Sequence, residues 1–193
     1  GYITEYGVEK LLRDAMVMPI YEGTSQIQAL MAMKDNLLAA ISNPQRFVRK
    51  TAQARWHSVS GTGMEKRVAK LETLQYSAIQ HLLTRLAADK FKELKGKPVG
   101  DWTQALQHFD PKRDFSLALL HAEKLCIILT DVAIARALLE QADKFPERED
   151  VLVRHLERAE PRCRYNFDRI TTSGGRIVSI LGKNADNAEQ AAK

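Results

Sequence analysis

Glu22 is the only charged residue between Asp14 and Lys34, and it stands in the stretch MPIYEGTSQIQ, residues 18–28. Pro19 precedes it, Gly23 follows it directly, and a helix-start pattern follows that. A carboxylate on such a turn is either an idle surface charge or a positioned base. Gly23, without a Cβ, lets the backbone approach a bound molecule closely. A helix beginning near Thr24 offers unpaired N–H groups and a positive dipole end, which suit an anion or a polarised carbonyl.

Other chemistries find less support. The five histidines, His57, His81, His108, His121 and His155, are scattered, with no pair at i, i+4 and no CxxC, so no metal site is expected. Cys126 and Cys163 lie on apolar helical faces and read as free buried thiols in a reducing compartment. "SGTG" (60–63) and "SGG" (173–175) read as loop or cap residues, too short for phosphate loops. Trp56 and Trp102 read as packing residues. The basic stretch "NPQRFVRKTAQARWH" holds four Lys or Arg residues and reads as a solvated helix face; nucleic acid is not an expected partner.

These residues need a scaffold, and the composition points to helices. The sequence has 193 residues, of which 45% are hydrophobic, 27% charged and 7% aromatic, and its net charge is +5. Ala, Leu, Lys, Arg, Glu and Gln dominate, and these lose little rotamer freedom in a helix. Val8, Leu11, Leu12, Ala15 and Met16 share one helical face, capped at Thr4 and stopped by Pro19. Thr24 or Ser25 caps the next helix, with Ile27, Leu30, Met31, Leu37, Leu38 and Ile41 as its inward set and "SNP" (42–44) as its end. A short helix is predicted over 46–59 and a long one over 64–94, with Val68, Leu71, Leu74, Ala78, Leu82 and Leu86 buried. Asp110-Pro111 signals another start, and its helix turns Phe115, Ala118, Ala122, Leu125, Leu129 and Val132 inward. "FPERED" opens one more, which Pro161 should break or kink near Glu160. Cys163, Phe167 and Ile170 then point inward. "SGG" either frays this helix or allows close helix contact, and the tail from 184 reads as disordered. The expected fold is all-α, an antiparallel helical bundle. No apolar run reaches the roughly 20 residues that a membrane span needs.

The stretch GYITEYGVEKLLRDAMVMPIYEGTSQIQ, residues 1–28, resembles the C-terminal signature of the flavin-dependent acyl-CoA dehydrogenases. Glu9, Arg13, Asp14, Tyr21, Glu22, Gly23, Thr24 and Gln28 match without a gap. Gly7 stands where the family usually has Pro, and Ala29 where Arg is frequent. The remainder is more loosely similar to the extra helical domain of the larger members, which "IQALMAM" also suggests. The resemblance implies Glu22 as catalytic base toward an acyl-CoA, Gly23 beside the substrate, and Thr24, Ser25 and Gln26 against FAD. It also implies an electron-transfer flavoprotein as acceptor and a homodimer or tetramer; the free thiols and the lack of a spanning apolar run or signal peptide lead to the expectation of a cytoplasmic setting.

Residues 1–59 are thus expected to end the dehydrogenase C-terminal domain, 60–183 to form the additional helical domain, and 184–193 to be tail. Without an initial Met, and lacking the domains that would wall a flavin, the chain reads as a C-terminal fragment, inactive alone. A rival reading is a non-catalytic oligomerisation or nucleic-acid-binding module of a homologue. The run LLHAEKLCIILTDVAIARALL, residues 119–139, is apolar on nearly two sides, and a second subunit is expected to cover part of it.

Overall fold

The structure, a computed structural model, describes residues 5, 7–18, 21, 24–94 and 116–180. Along them run α1 (Val8–Val17), α2 (Ser25–Ser42), α3 (Pro44–Ser60), α4 (Gly63–Leu94), α5 (Ser116–Lys144), a 3-10 turn (Pro146–Arg148) and α6 (Glu149–Thr172). Residues 175–180 are helical again, and no strand occurs among the described residues. The Thr4 cap, the loop from 95, the Asp110-Pro111 start with Phe115, Trp102, and the 184–193 tail lie outside them.

Local chemistry explains the helix ends. Asn43 caps α3, its Oδ1 accepting from the Arg46 N–H at 3.3 Å, and Pro44 occupies the first turn, where its missing N–H costs nothing. This start lies two residues before the predicted one. Gly7 precedes α1 at φ +63°, a conformation closed to Pro, whose ring fixes φ near −65°. The family's usual Pro therefore could not replace it in this geometry.

Cross-helix pairs set the directions. Early α4 meets late α5 through Glu72 and Arg136, and early α5 meets late α6 where His121 reaches the Ser173 carbonyl at 3.1 Å. Both neighbouring pairs are therefore antiparallel. Early α4 also meets mid α6, where Arg67 Nε donates to Glu160 at 2.8 Å. α3 folds back along α4, with Phe47 and Tyr76 edge to face at 5.8 Å.

The core is one cluster that joins Met33 and Leu37 of α2, Leu71 and Leu82 of α4, Leu125 and Ile128 of α5, and Leu152, Leu156 and Ile170 of α6. Truncating a fully buried member such as Leu125 to Ala should cost about 2–5 kcal/mol.

Three expectations change. First, α2, α4 and α6 of the same chain cover most of α5, which narrows the surface left for a second subunit to part-exposed residues such as Leu119, Leu120 and Ile134. Second, α6 runs through Pro161 without a break. Pro161 is exposed, so its ring points to solvent, while Ala159 and Cys163 hold the helix to the core on either side. Third, Trp56 is 70% exposed rather than packed.

A buried carboxylate pins α5 to α6. Asp131 is 2% exposed and accepts from Arg162 Nε at 2.8 Å, with the Cys163 thiol at 3.6 Å. The Asp131 backbone carbonyl also meets His155 Nε2 at 3.0 Å. Burial, reinforced by the Asp131 charge, pushes the Cys163 thiol up to about 12, so it is neutral and inert. Both cysteines are free; Cys163 is buried and Cys126 half-buried.

Candidate active-site turn

α1 stops at Val17, and two backbone bonds reach back to it from Met18 and Tyr21. The Met18 N–H bonds the Ala15 carbonyl at 3.2 Å and the Tyr21 N–H bonds the Val17 carbonyl at 2.9 Å. α2 starts at Ser25 with Thr24 as its N-cap, extended at φ −67° and ψ 160°. The Thr24 carbonyl accepts from the Gln28 N–H at 3.1 Å, while its hydroxyl makes no capping bond. Thr24, Ser25 and Gln26 are all exposed. Glu22 and Gly23 lie outside the described residues, which flank them on both sides.

Gln28 joins the two flanks. Its Nε2 donates to the Tyr21 carbonyl at 2.7 Å and to the Met18 carbonyl at 3.3 Å. One amide group in the first turn of α2 thus ties that helix to two carbonyls at the end of α1, across the segment that holds Glu22. Sequence reading saw Gln28 only as a motif letter. The readable signal was an amide side chain one turn into a helix that follows a tight loop, where it can bond backward. Ahead of the turn, Glu9 and Arg13 of the motif form an i, i+4 pair at 2.8 Å.

The surroundings are apolar and open. Val8, Leu11, Leu12 and Met16 of α1 are all at least half exposed, and α1 buries no residue. On α2, Met33, Leu37 and Ala40 face the core, whereas Ile27, Met31, Leu38 and Ile41 face out. The predicted inward set thus splits over two faces. Ala29 is 2% exposed, so the Arg frequent there in the family has no room in this packing. No group of three or more His, Cys, Asp or Glu is arranged to hold a metal ion among the described residues. No described helix is long and apolar enough to cross a membrane.

Chemically, the described part supplies a polar helix start with unpaired N–H groups and free side chains, held at a fixed distance from the end of α1. It can present a carboxylate and bind one polar edge of a large ligand.

Comparison with known proteins finds similarity in the N-terminal part of the chain. Residues 1–38 match the family described as acyl-CoA dehydrogenase, C-terminal domain. A probable acyl-CoA dehydrogenase, YngJ, of Bacillus subtilis is 57% identical over 37 residues, which cover 19% of this chain and 10% of that protein. An acyl-CoA dehydrogenase of the same organism is 59% identical over 34 residues, 18% of this chain and 9% of its own. A probable medium-chain specific mitochondrial acyl-CoA dehydrogenase of Caenorhabditis briggsae is 63% identical over 30 residues, 16% of this chain and 7% of its own. The chain therefore spans about a tenth or less of the length of the curated relatives it matches. No solved structure matches it. The family match is confined to residues 1–38, which carry α1, the segment with Glu22 and most of α2; beyond it the described residues continue as an all-α bundle.

Proposed function

We propose that the chain is the C-terminal part of a larger-type, FAD-dependent acyl-CoA dehydrogenase and that Glu22 is its base. The observation that carries this is the family match over residues 1–38, which spans the Glu22 segment, together with the Gln28 clamp that ties its two flanks. In this reading Glu22 removes the α-proton of an acyl-CoA thioester. The flavin, when bound, accepts the β-hydrogen as hydride. A free Glu, with a pKa of about 4.3, is a weak base toward carbon. Enclosure of Glu22 between substrate and cofactor raises its proton affinity and so its basicity. The Glu22 backbone N–H helps to polarise the thioester carbonyl, and Gly23 lets the substrate approach. Thr24, Ser25 and Gln26 take the polar edge of the flavin; their exposed side chains and the unused Thr24 hydroxyl fit such a role.

The remaining assignments follow from the same reading: a fatty acyl-CoA substrate, an electron-transfer flavoprotein as acceptor, a homodimer or tetramer, and a cytoplasmic site of β-oxidation. The rival nucleic-acid reading looks for a continuous cationic face on α3. Arg46, Arg49, Lys50 and Arg55 are all exposed. At 100° per residue, however, Arg55 falls on the far side of a strip made by Val48, Ala52 and Trp56. An apolar strip interrupts the cations, which disfavours a phosphate track.

The test is Glu22→Gln in the intact dehydrogenase that contains this chain. The amide is nearly isosteric but cannot take a proton. FAD content should be unchanged and turnover with the preferred acyl-CoA should fall about 10²–10⁴-fold. Turnover above about a tenth of the wild type, with flavin still bound, would remove Glu22 from the role.

A further inference from the structure

α3 carries a second apolar face that the described residues leave open. Its first face, with Phe47, Thr51 and Ala54, packs on α4. On the other side, Val48, Trp56 and Val59 are 64%, 70% and 75% exposed. With Ala52 these residues recur at intervals of three or four, so they form one strip along the helix. The strip borders a groove of about 600 Å³ between α3 and Gln80 of α4, with Phe47 and Thr51 on its floor. That volume accommodates several large side chains.

Charge frames the groove. α3 has four Lys or Arg residues and no Asp or Glu. Arg55 flanks the strip on the α4 side, where it donates only to the neutral Gln80, at 3.3 Å. Arg49 flanks it on the other side, with Arg46 and Lys50 beyond. None of these four has a carboxylate partner among the described residues.

From this arrangement we propose that the α3–α4 groove docks an acidic amphipathic helix of a partner protein. The partner's aliphatic ridge fills the groove beside Val48, Ala52 and Val59, and carboxylates on both sides of that ridge meet Arg49 and Arg55. Helix-in-groove recognition uses this geometry: an apolar strip for affinity, flanking charges for register and encounter rate. Other occupants fit less well. A second copy, laid twofold on the same face, would set four cations against four. Single-stranded nucleic acid wants stacked aromatic platforms along a cationic track, and here Trp56 stands alone beside aliphatic residues.

The test uses the 193-residue chain with Trp102→Phe, so that Trp56 is its only indole. The probe is a synthetic helix with Leu on one face and Glu on both flanks; a control has Lys in place of Glu. The acidic peptide should shift Trp56 emission to the blue and bind roughly tenfold or more tighter than the Lys control, since two to four screened pairs contribute under about 1 kcal/mol each. Raising salt from about 0.1 M to about 1 M, which shortens the screening length from about 10 Å to about 3 Å, should erase most of that difference. Arg49→Glu with Arg55→Glu should reverse the preference toward the Lys peptide, and circular dichroism of this surface variant will show the bundle intact. Equal binding of both peptides, or no reversal in the charge-swapped variant, overturns the proposal. So does tighter binding to phosphatidylglycerol vesicles or to a single-stranded oligonucleotide than to the acidic peptide.

Discussion

His121 is 1% exposed on α5, and its Nδ1 has no partner among the described residues. Its Nε2 lies 3.1 Å from the Ser173 carbonyl, which fixes the neutral tautomer with the proton on Nε2. Burial pulls its pKa below the usual value; the Ser173 bond opposes this, while the charges of Lys124, Arg169 and His81 add to the lowering. No carboxylate among these neighbours would welcome a proton. Linkage then fixes the sign. The unfolded chain binds a proton at His121 near pH 6.5, and the folded chain does so only at lower pH. This contribution to stability is complete above about pH 6.5 and declines as pH falls below it. His81, also lowered by burial and by Arg85, acts in the same direction. The urea midpoint should therefore fall between about pH 7 and pH 5, and His121→Gln, which retains a donor for Ser173, should flatten that slope. An identical slope in the variant would place the titration elsewhere.

The residue scale was also the least legible in the sequence. The motif marked Glu22 and its neighbours, because a lone charge beside Gly stands out between two helical patterns. It did not reveal Gln28 as a clamp, since reach across a turn depends on how α1 leaves Val17. Nor did it reveal Asp131. A carboxylate inside "CIILTDVAIA" is a visible anomaly, but its partner Arg162 is 31 residues away, and only the α5–α6 register brings the two together.

At the scale of elements, helix existence was written in the 3.6-residue period; of the predicted α4 stripe, Val68, Leu71, Ala78, Leu82 and Leu86 are buried, while Leu74 is half-buried at the edge of the core. α2 shows where periodicity stops short. A helix apolar over half its circumference has two admissible inward faces, and the neighbours choose between them. Here α5 selects Met33, Leu37 and Ala40. Proline reads as a breaker, but in α6 core contacts on both sides of Pro161 outweigh the missing hydrogen bond. Pro161→Ala should restore the N–H to the Glu157 carbonyl at an exposed site. The helix-propensity gain of about 3 kcal/mol, less about 1 kcal/mol of added unfolded-state entropy, leaves a net gain of about 1–2 kcal/mol. A lower thermal midpoint would show that the ring itself packs.

The glycines after α6 separate the two readings of "SGG". Gly174 has φ +96°, and a Cβ there would stand 2.8 Å from both His121 Nε2 and Leu120 Cδ2. Gly175 has no such strain, with only the end of Arg85 nearby at 3.9 Å. Gly174→Ala should cost about 1–3 kcal/mol, and Gly175→Ala should be neutral to slightly stabilising. Equal effects in the denaturant midpoint would deny the close contact with α5.

At the scale of the whole molecule, order should be uneven. α4, α5 and α6 share one core with the inner face of α2, whereas α1 buries nothing and no described helix packs along it. A ten-residue helix is marginal in water without tertiary support, whatever its propensity. In the 193-residue chain, the α1 amides should therefore exchange with solvent through local opening, far ahead of amides around Leu125, Ile128 and Leu156, which open only when the core does. Exchange read by mass spectrometry on peptides covering 8–17 and 121–132 will give the ratio, expected to exceed about a hundredfold if the core is stable by several kcal/mol. In an intact dehydrogenase the same α1 peptide should become protected, because Val8, Leu11, Leu12 and Met16 gain the cover that this chain does not give them. Equal protection of the two peptides in the 193-residue chain would mean that something within it covers α1. The uncovered faces beside the Glu22 turn would then no longer support the view that the site is completed from outside.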